Sequence, residues 1–265
     1  MRATSRLVGV SINTVTKLLV DVGTGCAEYQ DKVLRNLSCK EIQCDEIWSF
    51  CYAKERNVPV EKRDEFGYGD VWTWTALDAD SKLVVSFLVS SRDAFDARDF
   101  MKDLSSRLAN RVQLTTDGFR AYLTAVESAF ATNVDYSMLV KLYGEPKGKE
   151  EERRYSSGQC CGQIKGAVCG NPDEKNVSTS YVERQNLTMR MSMRRFTRLT
   201  NAFSKKIENH VHAVALHYMF YNFGRIHKSL RVTPAMEAGI SDHVWTLEEI
   251  AALVDTKGQK VVALP

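Results

Sequence analysis

The sequence predicts a mixed α/β fold, in which helices flank a sheet, on three observations. Short runs rich in β-branched and aromatic residues alternate with segments whose apolar residues recur every three or four positions. Two such runs, at 71–78 and 82–89, are joined by a polar turn, which is typical of a β-hairpin. Apolar residues make up 44% of the 265, a fraction sufficient for a large packed core.

The first segment, residues 1–38, resembles most of a helix-turn-helix. Gly9 marks the turn, and Ser11 or Asn13 is a suitable cap for the second helix. In this motif the second helix enters the major groove, so Asn13 and Lys17 are predicted to contact DNA. An amphipathic pair of helices without a DNA role is the alternative.

A central domain at 39–240 follows, and a C-terminal helix and tail occupy 241–265. Residues 143–178 are rich in glycine and are predicted to form an insertion with at most a short hairpin around 163–168. The remaining predicted elements are a connecting helix at 25–40, strands at 42–50, 111–117 and 133–142, a loop at 53–69, and helices at 94–109, 121–130, 180–198, 200–221 and 247–254.

Composition excludes some classes of protein. There is no run of 18 or more apolar residues, so no membrane partner is expected. The seven cysteines are odd in number and form no CxxC pair, which favours reduced thiols in a cytoplasmic protein. The net charge of +3 is weak evidence for any partner.

The distribution of charge is more informative, because one stretch at 184–206 is basic and lacks Asp and Glu. Such a block favours a polyanionic partner, although a solvated helix face is the alternative. Arg190 and Arg194 are predicted to share one helix face and to line phosphates, and Asn186 lies near that face. The predicted DNA-binding residues of this region are Arg184, Asn186, Arg190, Arg194, Arg195 and Arg198.

Three carboxylates stand out by their positions. Asp45 lies within an apolar strand, Asp117 ends a strand, and Glu183 begins a helix that has no other acidic residue. If gathered together, they would bind Mg²⁺ or Mn²⁺, and two such ions can activate a nucleophilic oxygen at a phosphodiester. Taken singly, each is equally a strand-end or capping acid. Glu46, next to Asp45, is expected on the opposite side of the strand.

The segments 44–50, 114–122 and 181–186, with a tail at 221–235, resemble the DDE transposases of bacterial insertion sequences. This resemblance implies a ribonuclease-H-like catalytic domain with a mixed five-stranded sheet. It also implies that Asp45, Asp117 and Glu183 hold two Mg²⁺ or Mn²⁺ ions. The implied reaction is strand cleavage and strand transfer between element-end DNA and target DNA. The implied setting is a homodimer or higher oligomer on DNA in the cytoplasm of a prokaryote, associated with the nucleoid.

The sequence departs from the integrase pattern in one respect, because Glu183 follows Asp117 at a spacing of 66 positions, which is longer than in the integrases. The glycine-rich insertion accounts for the excess, and Glu174 and the run 150–152 are rivals for the third position. Two other functions stay open. One is a ribonuclease-H-like nuclease that cuts without joining, and the other is a DNA-binding regulator whose acidic residues are structural.

Overall fold

A computed structural model describes residues 1–144, 160–197 and 200–254. Its centre is a six-stranded sheet of order β3-β2-β1-β4-β5-β6. The pairs β1–β2, β2–β3 and β5–β6 are antiparallel, whereas β1–β4 and β4–β5 are parallel. The strands are β1 (Glu41–Cys51), β2 (Gly69–Asp78), β3 (Val84–Ser90), β4 (Val112–Thr116), β5 (Val134–Tyr143) and β6 (Cys160–Cys169).

Helices cover both faces of this sheet. One face packs against α3 and α4 through a core that includes Trp74 and Tyr122, and the other packs against α5 and α6 through Ile47 and Tyr218. The helices are α1 (Arg2–Val8), α2 (Ile12–Val33), α3 (Ala94–Arg107), α4 (Ala121–Phe130), α5 (Ser180–Ser192), α6 (Ile207–Met219), α7 (Pro234–Glu237) and α8 (Leu247–Ala252).

The α/β class and the mixed sheet flanked by helices are confirmed, and the arrangement is consistent with a ribonuclease-H-like fold. The predicted number of five strands is wrong. The short hairpin expected around 163–168 is a full strand, β6, that pairs along β5. The rest of the predicted insertion, from 145 to 159, lies outside the described residues.

Two helix predictions are also corrected. The second helix of the expected helix-turn-helix and the connecting helix at 25–40 are one continuous helix, α2, which Ser11 caps by accepting a hydrogen bond from the Thr14 N–H. The helix predicted at 180–198 ends at Ser192, because the backbone of Met193 is extended. Arg190 and Arg194 therefore do not share a helix face.

The N-terminal helices α1 and α2 meet at a bend of 111° across Gly9, whose positive φ of 71° suits glycine. This angle falls within the range of helix-turn-helix pairs. Their role in DNA binding stays a prediction. Within the described ranges, no single helix has the length and apolar content to cross a bilayer. Only α1 and α2, taken together as a bent pair, have the required length and apolar content.

The long helix α2 packs closely on α6 at Gly23. A Cβ atom built on Gly23 would lie 2.4 Å from the His212 Cβ and 2.8 Å from its Cα, which is too close for any side chain. The substitution Gly23→Ala is therefore expected to push the helices apart. The overpacking penalty of about 1–3 kcal/mol exceeds the gain in helix propensity of about 1 kcal/mol.

Urea unfolding of Gly23→Ala should thus show a lower free energy of unfolding than that of the parent. Gly166→Ala on β6 is the matched control, since a Cβ there meets nothing within 4 Å. Equal stability of Gly23→Ala and the parent would contradict this helix contact.

Candidate active site

The site forms where the pairing of two neighbouring parallel strands ends. The pairing of β1 with β4 stops at Cys44 opposite Thr116, and Asp45 and Asp117 are the next residues of the two strands. Because Cys44 and Thr116 are paired side by side in parallel strands, the residues that follow them, Asp45 and Asp117, are also neighbours. One oxygen each from Asp45, Glu46 and Asp117 lie within 4.8 Å of one another.

Glu46 is thus part of the cluster, and the expectation that its position on the strand would keep it apart is wrong. It does share the face of its cross-strand partner Trp74, which packs edge-on against Tyr122. However, β4 has already ended beside it, so no backbone separates the two faces along that edge of β1. Carboxylates from both faces can therefore meet in the gap beyond Thr116.

Arg92 bridges two of these carboxylates. Its Nε donates to the Glu46 Oε2 at 3.0 Å, and its Nη2 lies 3.6 Å from the Asp117 Oδ2. The guanidinium is held over the Phe119 ring, 4.0 Å from its centroid. Sequence reasoning missed this residue, and its only local signal is a lone arginine directly after a strand.

The third predicted acid, Glu183, lies on the first turns of α5 but outside the 4.8 Å cluster. The Lys141 Nζ on β5 donates to both of its carboxylate oxygens at 2.5 Å, and the Thr179 hydroxyl donates to Oε1 at 2.5 Å. Repulsion from Glu183 nevertheless contributes to raising the pKa of Asp45 and Asp117, so it acts on the cluster.

Helix α5 is fixed against β1 by two contacts that sequence reasoning did not identify. The Gln43 Oε1 accepts hydrogen bonds from the N–H groups of Tyr181 and Val182, at 2.9 and 3.2 Å, and so caps the start of α5. One turn later, the Asn186 Nδ2 donates to the Asp45 Oδ2 at 2.9 Å. Glu183 and Asn186 are three residues apart on this helix. The two contacts therefore place both residues near Asp45 on β1.

The electrostatics of the cluster favour a bound cation. Burial raises the pKa of Asp45 to about 7, and repulsion by Asp117 adds to the effect. Burial likewise raises the pKa of Glu46 to about 8, again with a contribution from Asp117. The pKa of Asp117 is raised mainly by burial. Close carboxylates with raised pKa values repel each other when ionised, and a divalent cation would relieve that repulsion.

The donor atoms also fit a hard cation. The buried Asn186 Oδ1 has no hydrogen-bond partner among the described residues. Buried oxygens without partners are costly, and Mg²⁺ or Mn²⁺ prefers carboxylate and amide oxygens as ligands. Asp45, Glu46 and Asp117 would therefore hold such an ion, with Asn186 beside them.

Of the rivals for the third acid, Glu174 is not in the cluster. Glu174 is exposed on a short 3₁₀ turn, where its carbonyl accepts a bond from the Lys165 Nζ. The run 150–152 lies outside the described residues.

The predicted DNA contacts are spread over two regions. Asn13 and Lys17 lie on the exposed start of α2, where Lys17 pairs with Asp21 at 2.7 Å. Arg184 and Arg190 are exposed on α5, and Arg194 is exposed just beyond it. Asn186 is buried against Asp45. The Arg195 Nη1 donates to the Ser204 hydroxyl and the Asn209 carbonyl, and Arg198 lies outside the described residues.

Comparisons with known proteins give little further information. No family model matches this chain, and no curated protein matches it. Among solved structures, a match is a cryo-EM structure of a piggyBac transposase synaptic complex with hairpin DNA. The match has 10% identity and a TM-score of 0.33, and it covers 82% of this chain and 52% of the other. The chain thus spans about half the length of that transposase.

Proposed function

We propose that this chain is a DNA transposase that cuts DNA at the ends of a mobile element and joins the freed 3′-hydroxyl to target DNA. The observation that carries the proposal is the convergence of three carboxylates at the point where the pairing of β1 with β4 ends. Helix α5, which bears Glu183, packs directly beside them through the Asn186–Asp45 hydrogen bond. Acidic oxygens gathered on rigid strands suit metal-assisted phosphodiester chemistry.

Each residue of the site has a distinct role in this proposal. Asp45, Glu46 and Asp117 hold Mg²⁺ or Mn²⁺, and Glu183 completes the site. Such ions make a water or hydroxyl a better nucleophile and offset charge on the phosphate. Asn186 orients Asp45 through its hydrogen bond, and no Ser or Tyr nucleophile is assigned.

The charge balance of the site favours one cation while Lys141 stays paired with Glu183. Its four carboxylates carry four negative charges when ionised, while Arg92 and Lys141 carry two positive charges. The remainder equals the charge of one divalent cation. A second cation needs the oxygens of Glu183, which Lys141 holds, so binding of two ions requires Lys141 to release that carboxylate.

The proposal is tested by a joining assay in which the terminal sequence of the element is left open. Short DNA duplexes with randomised ends and free 3′-hydroxyls are incubated with the protein, supercoiled plasmid and Mg²⁺, and the products are sequenced. The expected result is Mg²⁺-dependent joints between duplex 3′ ends and plasmid, enriched for particular end sequences.

The other outcomes separate the competing functions. Nicked or linear plasmid without joints would show a nuclease that cuts without joining. Plasmid left intact with Mg²⁺ and Mn²⁺, despite retained DNA binding, would indicate a DNA-binding regulator and would overturn the proposal.

A further inference from the structure

A second concave surface lies away from the carboxylates, between the N-terminal helices and the segment that links α5 to α6. This groove has a volume of about 1300 Å³, more than a typical small-molecule pocket of roughly 300–1,000 Å³ holds. Its basic lining residues are Arg2, Arg194, Arg195, Lys205 and Arg225, and its aromatic ones are Phe203, Phe220 and Tyr221. Among the described residues, no Asp or Glu lines it.

Most of these cations are available to a ligand. Arg195 is used within the protein, since it donates to the Ser204 hydroxyl and the Asn209 carbonyl. In the part of the chain that the structure describes, no carboxylate pairs with Arg2, Arg194 or Arg225. Uncompensated cations in a concave surface attract a polyanion.

Aromatic rings lie beside the cations of this groove. Phe220 is 40% exposed, and the Lys205 Nζ lies 3.7 Å from the centroid of the Phe203 ring. The buried Nε2 of His217, which also lines the groove, has no hydrogen-bond partner among the described residues. The groove therefore offers the exposed ring of Phe220 in addition to positive charge.

The combination of basic and aromatic residues in the groove favours one kind of polyanion over others. Duplex DNA hides the faces of its bases and is bound by elements that enter its grooves. A single strand exposes base faces, which stack on aromatic side chains while basic residues follow the phosphates. An acidic peptide would use the cations but has no base faces for the rings.

We infer that this groove binds a single strand of DNA that leads to or from the carboxylate site. Arg194 lies just beyond the end of α5, and the helix rises by roughly 14 Å from Glu183 to Ser192, which is nine positions later. The inference rests on the proposed function in one respect only, which is that the bound single strand is DNA. The groove's charge and its rings argue for a single strand independently of catalysis.

The test measures binding by fluorescence anisotropy in EDTA, with a labelled 20-residue oligothymidine, a 20-base-pair duplex and a 20-residue polyglutamate as probes. We expect oligothymidine to bind more tightly than the other two probes. Phe220→Leu and Arg194→Gln, each tested singly, should weaken its binding about tenfold or more, since stacking contributes about 1–3 kcal/mol per base.

Phe95→Leu and Arg98→Gln are the matched controls, because Arg98 lies over the exposed Phe95 ring on α3, outside the groove. These controls should leave oligothymidine binding unchanged. The inference is overturned if both groove variants bind oligothymidine like the parent. It is also overturned if polyglutamate or the duplex binds as tightly as oligothymidine and loses affinity in the same variants.

Failure of the proposed function would give a different result. Because binding is measured without metal, Asp45→Asn should bind oligothymidine like the parent. If the joining assay yields no cleavage while the groove variants still lose binding, the groove stands and the enzymatic proposal falls.

Discussion

The substitution Asp45→Asn is expected to abolish Mg²⁺-dependent strand cleavage, with a loss of at least about 1000-fold, or roughly 4 kcal/mol of activation free energy. An amide is neutral, so the variant loses one of the three negative charges that would attract and hold a divalent cation at the cluster of Asp45, Glu46 and Asp117. The side chain keeps its shape and can still accept the hydrogen bond from the Asn186 Nδ2. The measurement is the initial rate of plasmid cleavage with Mg²⁺ at saturating DNA.

Loss of a metal ligand must be distinguished from loss of the fold. Asp80→Asn is the matched control, since Asp80 lies in the exposed turn between β2 and β3, 3.9 Å from the Lys40 Nζ, and its variant should cut normally. Asp45→Asn should keep the parent's affinity for DNA in EDTA. If it cuts with Mg²⁺ at a rate near that of the parent, the assignment of Asp45 as a metal ligand is wrong.

A cysteine at the same position provides a positive test. A thiolate is a softer ligand than a carboxylate, so Asp45→Cys should lose cleavage with Mg²⁺ and regain part of it with Mn²⁺. Recovery with Mn²⁺ would show that the side chain at position 45 contacts the cation. A purely structural role for Asp45 would give no such dependence on the metal.

Much of the fold can be predicted from local patterns. The strands β1 to β5 are found within about two residues of their predicted bounds, because runs of β-branched and aromatic residues mark them. The caps Asp93 and Thr246 are found at the predicted helix starts. By contrast, β6 contains Gly162 and Gly166, which weaken a strand signal, and pairing with β5 forms it. Tertiary pairing of this kind is not visible in a local pattern.

The end of α5 shows the same limit. Nothing local separates Ser192 from the basic and apolar residues that follow, and these residues suit a helix well. The chain leaves the helix at Met193, and Phe196 is then buried in the core beneath the sheet. Burial of one aromatic ring outweighs a modest helix propensity, and it moves Arg194 from the helix face to the groove.

The site itself is predictable only in part, because its acidic residues have local sequence signals and its basic residues do not. Asp45 is marked by its position within an apolar strand, and Asp117 by its position at a strand end. Arg92 and Lys141 are marked by no pattern, because their partners Glu46 and Glu183 lie 46 and 42 residues away along the chain. Ion pairs at such separations follow from the topology of the sheet.

The metal-free protein is expected to lose stability as the pH rises from 6.5 to 8, by about 2 kcal/mol. The folded pKa values of Asp45 and Glu46, about 7 and about 8, lie well above the ordinary values of 3.8 and 4.5. The folded state therefore holds protons that the unfolded state has already released. Their contribution to stability is fully present at low pH and is lost as the pH rises through the folded pKa values.

The choice of pH window matters because other groups titrate nearby. Burial lowers the pKa of His210 to about 3 and that of His217 to about 4, so these histidines act with the opposite sign, but only below their unfolded pKa of about 6.5. Burial raises the thiol pKa of Cys26 to about 12 and that of Cys51 to about 11, and this affects stability only near and above pH 8.

Urea unfolding measures this effect at pH 6.5 and pH 8, in EDTA or in 10 mM Mg²⁺. That Mg²⁺ concentration is of order 100 times a Kd of about 0.1 mM. Mg²⁺ should stabilise the folded state by about 2.7 kcal/mol under those conditions and flatten the pH dependence, because the cation replaces the protons that relieve repulsion.

The double variant Asp45→Asn with Glu46→Gln is the control. Its free energy of unfolding in EDTA should not change between pH 6.5 and pH 8, and Mg²⁺ should not change it either. A parent protein whose stability in EDTA does not fall across this window would mean that Asp45 and Glu46 are already ionised in the folded state at pH 6.5, so that neither burial nor repulsion raises their pKa. The premise of a cation site beside Asp45 would then fail.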